Sequence, residues 1–135
     1  MKPATKISDA WAALNASPNY PRSWSAWAKD RSKLFVTLPG PDILPDGRTI
    51  PLWRSTWTNT LGHETEQQRE QATNLRNAIA GNKPILGFYV EMASGSDERI
   101  RAAHYGRLLP LTIIEETSWD IIGQAAESII NGSTP

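Results

Sequence analysis

The sequence predicts a single small α+β domain, a mostly antiparallel sheet of about 4–5 strands with 3–4 helices packed on it. Its 135 residues are typical of one domain, and 39% hydrophobic with 21% charged residues is typical of a globular protein. Helical and extended patterns alternate irregularly along the chain, which favours an antiparallel sheet over repeated strand–helix units. We expect the domain to span residues 1–130, with residues 131–135 a flexible tail or the start of a linker.

Four stretches carry the apolar spacing of a helix face. The third of them, residues 64–80, is the longest and ends at Gly81, a residue type favoured after a helix. The fourth follows Ser118 or Asp120, either of which suits a helix start. The apolar residues are, in chain order, Ile7, Trp11 and Leu14; Trp24, Trp27 and Ala28; Ala72, Leu75, Ala78 and Ile79; and Ile121, Ile122, Ala125 and Ile129.

Other stretches favour strands. Residues 84–92 and 107–114 are apolar at nearly every position, which predicts central strands covered on both faces, and residues 33–38 predict a further strand. The Pro-Asp-Gly sequence at 45–47 predicts a tight turn between extended segments. Residues 93–106 are expected to form a loop, either without regular structure or with one helical turn.

Composition excludes several kinds of chemistry. The chain has no cysteine, so it has no disulfide framework, thiolate nucleophile or cysteine-ligated metal centre. The N-terminal residues lack the apolar run of a signal peptide, and no later run approaches the ~18 apolar residues of a membrane span. We therefore expect a cytoplasmic protein without a membrane partner.

Charge is unevenly distributed along a chain whose formal net charge is zero. Residues 1–57 hold eight Lys or Arg and four Asp or Glu, whereas residues 58–135 hold six and ten, so the two parts carry +4 and −4. The basic part permits an anionic partner on one surface. Overall neutrality argues against strong nonspecific attraction to a polyanion.

The stretch IPLWRSTWTNTLGHE, residues 50–64, contains two of the six tryptophans. If it is extended, Trp53 and Trp57 point to one face and Arg54 to the other. One interpretation places both indoles in the core. The other makes at least one of them, with Trp24 or Trp27, an aromatic platform that stacks on a flat ring, flanked by arginines such as Arg22, Arg48 and Arg54.

A second candidate surface lies in RIRAAHYGRLLP, residues 99–110. Arg101, His104, Tyr105 and Arg107 supply donors and stacking groups that suit a phosphate or carboxylate. The competing interpretation is a solvated basic loop, because charge clusters on a surface usually interact with water.

Catalytic and metal-binding patterns are weak. His63 stands beside Glu64 and Glu66 without the second histidine of a helical zinc motif, and we predict no metal and no cofactor. Glu91 ends an apolar run, where burial could hold it in a site. No catalytic motif accompanies these residues, so catalysis is not predicted, although a small enzyme using a histidine and a carboxylate is a third hypothesis.

Two other hypotheses on function are favoured over the enzyme hypothesis. The first is a non-catalytic recognition module, the targeting domain of a longer protein, which binds nucleic acid or a nucleotide-like ring through tryptophans and arginines. The second is a domain for protein interaction or homo-oligomerisation, in which surplus tryptophans and isoleucines cover a partner. The first predicts a partly exposed aromatic cluster, and the second a flat apolar patch.

Overall fold

The computed structural model describes residues 2–58, 61–93 and 100–130. These residues form one mixed eight-stranded sheet with two α-helices, α1 (Ile7–Ala13) and α2 (Glu66–Ala80), and a short 3-10 helix at Gly40–Asp42. The predicted fold, with 3–4 helices on a sheet of 4–5 strands, is therefore wrong, because the domain is mostly β. The strands are β1 (Ala16–Ser17), β2 (Ser25–Ala28), β3 (Leu34–Pro39), β4 (Thr49–Arg54), β5 (Ile85–Met92), β6 (Ile100–Ala103), β7 (Leu109–Glu116) and β8 (Asp120–Ala125).

Two of the predicted helices are strands. The stretch with Trp27 and Ala28 forms β2, which is buried on both faces, and the final predicted helix forms β8. In β8 the buried residues are Ile121, Gly123 and Ala125, which alternate with half-buried ones as strand residues do. Ile121 and Ala125 fit the apolar side of a helix as well as the buried face of a strand. This short pattern therefore does not distinguish a helix from a strand.

The first and the longest predicted helices are confirmed. In α2 the hydroxyl of Thr65 accepts a hydrogen bond from the backbone N–H of Gln68 at 3.1 Å, and Gly81 follows the last turn. The strands predicted around residues 33–38, 84–92 and 107–114 correspond to β3, β5 and β7, but the prediction that the last of them is covered on both faces is wrong, because β7 is mostly exposed beyond Leu109. The predicted loop at 93–106 contains β6, while its residues 94–99 and the predicted tail at 131–135 lie outside the described residues.

Strand order is β1-β2-β3-β5-β7-β8-β4, with β6 paired to β5. Only β3 and β5 pair in parallel among the described strands; the other pairs are antiparallel. A parallel pair requires a long crossover, and here the crossover contains β4 and α2. Because α2 contacts both β2 and β4, which lie far apart in the strand order, the sheet must curl around the helix.

Two hydrophobic clusters cover the two faces of the sheet. The inner cluster joins α2 to the concave face and contains Trp27, Trp53 and Leu75. The outer cluster joins α1 to the other face, where Trp11 meets Phe88 edge to face with 5.4 Å between ring centroids. Burial of both faces explains why β3 and β5 are apolar at nearly every position.

The seam between β2 and β4 is closed by side chains of α2. Gln71 donates from Nε2 to the carbonyl of Leu52 at 3.1 Å, and Gln68 donates to the carbonyl of Arg54 at 3.2 Å. On the β2 side, Asn74 accepts from the indole N–H of Trp27 at 3.2 Å and donates to the hydroxyl of Ser25 at 2.9 Å. All three amides are buried. The two glutamines bond to backbone carbonyls of β4, as a neighbouring strand would, whereas Asn74 bonds to side chains of β2.

Candidate functional site

Trp24 and Trp57 meet at one end of the seam. Their rings are edge to face, at 78°, with 6.2 Å between centroids. Trp24 directly precedes β2 and Trp57 follows β4 by three residues, so the contact brings the start of one strand to the end of the other. Both side chains are half-buried, which leaves part of each indole accessible to a ligand. We call this region the tryptophan end of the seam.

An ion pair fixes the end of β4 at this location. The Nη1 of Arg54 lies 2.9 Å from Oδ1 of Asp120, the first residue of β8, and the two side chains are 35% and 26% exposed. Partial burial makes such a pair stronger than a fully exposed one. Burial raises the pKa of Asp42, and the nearby guanidinium of Arg54 offsets part of that increase. Arg54 therefore acts on two carboxylates at the tryptophan end.

The first turns of α2 reach the same end. Gln68 bonds to the carbonyls of Arg54 and Ser55, whereas Gln71 bonds to Leu52, so the helix begins where β4 ends. Both carboxylate oxygens of Glu70 are buried and accept no hydrogen bond, and the same holds for Oε1 of Gln68 and of Gln71. A buried acceptor without a donor is energetically costly, so these oxygens are unusual features of this end.

Two other candidate tryptophans belong to the core. Trp27 and Trp53 are each only 6% exposed, and both contribute to the inner cluster. The guanidinium of Arg31 lies 4.7 Å from the ring centroid of Trp27, and that of Arg76 lies 5.3 Å from that of Trp53. Neither indole has a free face on which a ring could stack.

Arg48 lies away from the tryptophan end. It precedes β4, whereas Arg54 ends that strand. Six residues of extended chain span ~20 Å. The structure thus brings together Trp24, Arg54 and Trp57, and it does not bring Arg48 to them.

The second candidate surface is only partly assembled. Arg101 and His104 both approach Glu91, with N···O distances of 3.4 Å and 3.9 Å, and the His104 ring stacks on Tyr89 with 5.4 Å between centroids. Burial raises the pKa of that tyrosine, and the charge of Glu91 adds to the effect.

The remaining two residues of that surface make other contacts. Tyr105 packs against the outer cluster. Arg107 donates to the carbonyls of Ser128 and Ile129 at 2.8 Å and 2.7 Å, so its guanidinium holds the segment after β8.

No family model, curated protein or solved structure matches the chain. Among the described residues, no group of three or more His, Asp or Glu side chains is arranged to hold a metal ion. No helix in this part of the chain is long and apolar enough to cross a membrane.

A crevice lies near the opposite end of α2. It has a volume of about 440 Å³, and its lining includes Ile79, Lys83, Ile85 and Leu111. Neither a histidine nor a carboxylate lines it. The third hypothesis, an enzyme with a histidine and a carboxylate in a deep pocket, gains no support from this crevice.

Trp119 and Glu70 are notable residues that the sequence interpretation missed. Trp119 is 70% exposed at the tip of the β7–β8 hairpin, and its carbonyl accepts from the backbone N–H of Ser55 at 2.7 Å. Thr117 and Ser118 lie in the hairpin turn before it, where the sequence pattern instead predicts a helix that follows Ser118 or Asp120. For Glu70, a single glutamate within a polar run offered no signal of burial.

Proposed function

We propose that this domain is a non-catalytic recognition module that binds a nucleobase of single-stranded nucleic acid at the tryptophan end of the seam. The observation that carries the proposal is the half-buried edge-to-face pair of Trp24 and Trp57. We further propose that the module acts in the cytoplasm, as the targeting part of a longer protein.

The aromatic pair suits a flat ring because an indole face stacks on any nucleobase, each stack contributing ~1–3 kcal/mol. Two indoles at 78° offer one face and one edge rather than two parallel walls. A single base stacked on the face, with the second indole at its edge, fits this arrangement better than a sandwich.

Cationic side chains near the pair favour a phosphate backbone beside the base. Arg22, two residues before Trp24, is exposed. Arg54 is 35% exposed, and its charge is shared with Asp120. With this limited positive charge, we expect moderate affinity that decreases as salt concentration rises.

The test uses a labelled single strand of about 12 nucleotides, within the site size of known single-strand binders. Fluorescence anisotropy of the label is followed as protein is added at low and moderate salt. This readout does not depend on the tryptophans, so Trp24→Ala and Trp57→Ala can be compared directly with the unaltered protein. Loss of one stack should weaken binding by about 5- to 150-fold.

Two controls separate stacking from folding. Trp57→Phe keeps an aromatic face and should retain most of the affinity, while circular dichroism confirms that each variant folds. Equal affinity of both alanine variants and the unaltered protein would contradict the proposal, as would an absence of binding at every salt concentration.

A protein-contact function is the second candidate, and a specific observation favours it. Trp119 is 70% exposed and Ile114 is 51% exposed on the β7–β8 hairpin. Exposed tryptophans are enriched at the energetic centres of protein interfaces. Sedimentation velocity across a concentration series tests self-association: a dimer that disappears in Trp119→Ala, with the fold intact, would make this hairpin the contact surface.

A further inference from the structure

We propose that Glu70 determines which base the tryptophan end accepts, by selecting a ring edge that presents two adjacent N–H donors, as guanine does. This inference rests on the proposed ring-binding function and deepens it. It predicts a specificity that stacking alone cannot supply, because every base has a face on which an indole can stack.

The position of Glu70 follows from the geometry of α2. Residues four apart lie on the same side of a helix, so Glu70 lies one turn before Asn74, which contacts Ser25 of β2. Compared with Asn74, Glu70 is closer to the start of α2, where the side chain of Gln68 bonds to the carbonyl of Arg54 at the end of β4. Glu70 is thereby placed on the β2 side of the helix at the tryptophan end.

The carboxylate of Glu70 has an unused capacity to accept hydrogen bonds. Both oxygens are buried, and neither has a donor. Withdrawing such a group from water without a partner is unfavourable, and a ligand that supplies donors removes that penalty. Binding energy then comes from satisfying a group that folding leaves unsatisfied.

Among the described residues, the buried side-chain atoms of α2 that lack a partner are all acceptor oxygens, whereas an unpartnered donor, Nε1 of Trp53, belongs to β4. The Nε2 of Gln68 bonds to the carbonyls of Arg54 and Ser55, which fixes the orientation of its amide and leaves Oε1 without a partner. Gln71 is fixed in the same way by the carbonyl of Leu52, and its Oε1 is also unpartnered. A complementary ligand must therefore present N–H groups toward α2.

Among the common bases, guanine matches this requirement best. Its N1–H and N2 amino group are adjacent donors whose spacing suits the two oxygens of one carboxylate, a bidentate and charge-assisted arrangement. Adenine and cytosine present an amino group beside an acceptor nitrogen. Thymine and uracil present a single N–H between two carbonyls, which would repel a carboxylate.

Access to Glu70 requires a local rearrangement, since protein atoms cover its oxygens. Trp57 lies in the segment 55–58, outside the strands, so its side chain can shift without loss of strand pairing, while Ser55 stays bonded to Trp119 and Gln68. We expect a small shift of Trp57 to open this path, so that a ring stacked on Trp24, with the Trp57 indole still at its edge, reaches the carboxylate.

The test compares three labelled oligonucleotides that are identical except for one central base: guanine, hypoxanthine or adenine. Hypoxanthine lacks only the 2-amino group of guanine, so it removes one of the two donors and leaves the ring otherwise similar. The unaltered protein should bind the guanine strand about tenfold or more tightly than either other strand. This comparison needs no variant and therefore does not depend on the folding of one.

Glu70→Gln extends the test, with Glu66→Gln as the matched control. Glu66 is exposed in the first turn of the same helix. Preference for guanine should disappear in Glu70→Gln and persist in Glu66→Gln. Equal binding of all three strands by the unaltered protein, or persistent preference in a folded Glu70→Gln, overturns the role of Glu70 while ring binding stands. Failure of every strand to bind overturns the proposed function itself.

Discussion

Gln71 and Leu52 are joined by a hydrogen bond of 3.1 Å from a side-chain amide to a backbone carbonyl, and this bond replaces strand pairing at the edge of β4. Gln71 is only 3% exposed, so the carbonyl cannot turn to water instead. At this edge of β4, a side chain of α2 therefore takes the place of a paired strand.

Replacing this glutamine tests the seam. Gln71→Leu leaves the Leu52 carbonyl buried without a donor but also removes the unpartnered Oε1 of Gln71, so we expect the free energy of unfolding to fall by about 1 kcal/mol, at the lower end of the cost of a lost buried hydrogen bond. Urea denaturation followed by circular dichroism measures it. Gln67→Leu, on the same helix but outside these hydrogen bonds, should change stability much less; equal losses in both variants would count against a special role of Gln71.

Gly87 allows β5 to pack closely against Leu38. A Cβ at position 87 would lie 2.6 Å from Cδ1 of Leu38, a side chain with no exposed surface. We expect Gly87→Ala to lower the free energy of unfolding by about 1–3 kcal/mol through overpacking. In the double variant with Leu38→Ala, the loss should be smaller than the sum of the two single losses, which thermal or urea denaturation can determine. Simple additivity would mean that the two side chains do not compete for space.

Asp46 makes stability depend on pH in the acid range. Its carboxylate accepts from the hydroxyl of Thr49 and from the backbone N–H groups of Arg48 and Thr49, which lowers its pKa from 3.8 to about 2. The carboxyl is more acidic when folded, so its contribution is present above pH ~4 and is lost as pH falls toward 2.

We therefore expect Asp46→Ala to lower the urea midpoint at pH 7, and the difference from the unaltered protein to shrink as pH falls from 4 to 2. Asp46→Asn keeps one acceptor oxygen and should lie between the two. A difference that is the same at pH 7 and pH 2 would show that the charge of Asp46 plays no part.

We expect the carboxylate of Glu70 to lower the free energy of unfolding. Replacing its buried, unpartnered carboxylate by an apolar group removes the desolvation penalty, so Glu70→Leu should raise the free energy of unfolding by about 1–3 kcal/mol. Glu66→Leu, at an exposed position, should leave it nearly unchanged. The comparison is made by urea denaturation, and a marked destabilisation of Glu70→Leu would mean that the carboxylate supports the fold.

The contrast between the helices and β8 shows what local pattern can predict. Helix α2 carries local signals, since Gly81 follows its end and an apolar side recurs over several turns, whereas the cap at Thr65 sets its start two residues after the predicted one. The β8 pattern is short, and Ile121 and Ala125 suit a helix as well as a strand. Its pairing with β4 and β7 decides between them, and that pairing depends on residues far away in the sequence.

In the candidate site, too, some features can be predicted from the sequence and others depend on the tertiary fold. Indole chemistry and charge in the sequence indicate Trp24, Arg54 and Trp57, but they equally indicate Trp27, Trp53 and Arg48, which the structure does not bring to the tryptophan end. The contact between Trp24 and Trp57 depends on how the sheet curls, and the burial of Glu70 depends on where α2 enters the seam. Strict alternation predicts Trp53 and Trp57 on one face, but β4 ends at Arg54 and the alternation ends with it.

The uneven charge along the sequence has a consequence for any attempt to divide the protein. β3 lies in the basic part and pairs with β5 in the acidic part, and β4 likewise pairs with β8. Cutting the chain after residue 58 would therefore not release a basic domain and an acidic domain. It would leave each fragment with open strand edges, and the two fragments, oppositely charged and complementary in pairing, should associate with each other more readily than either folds alone.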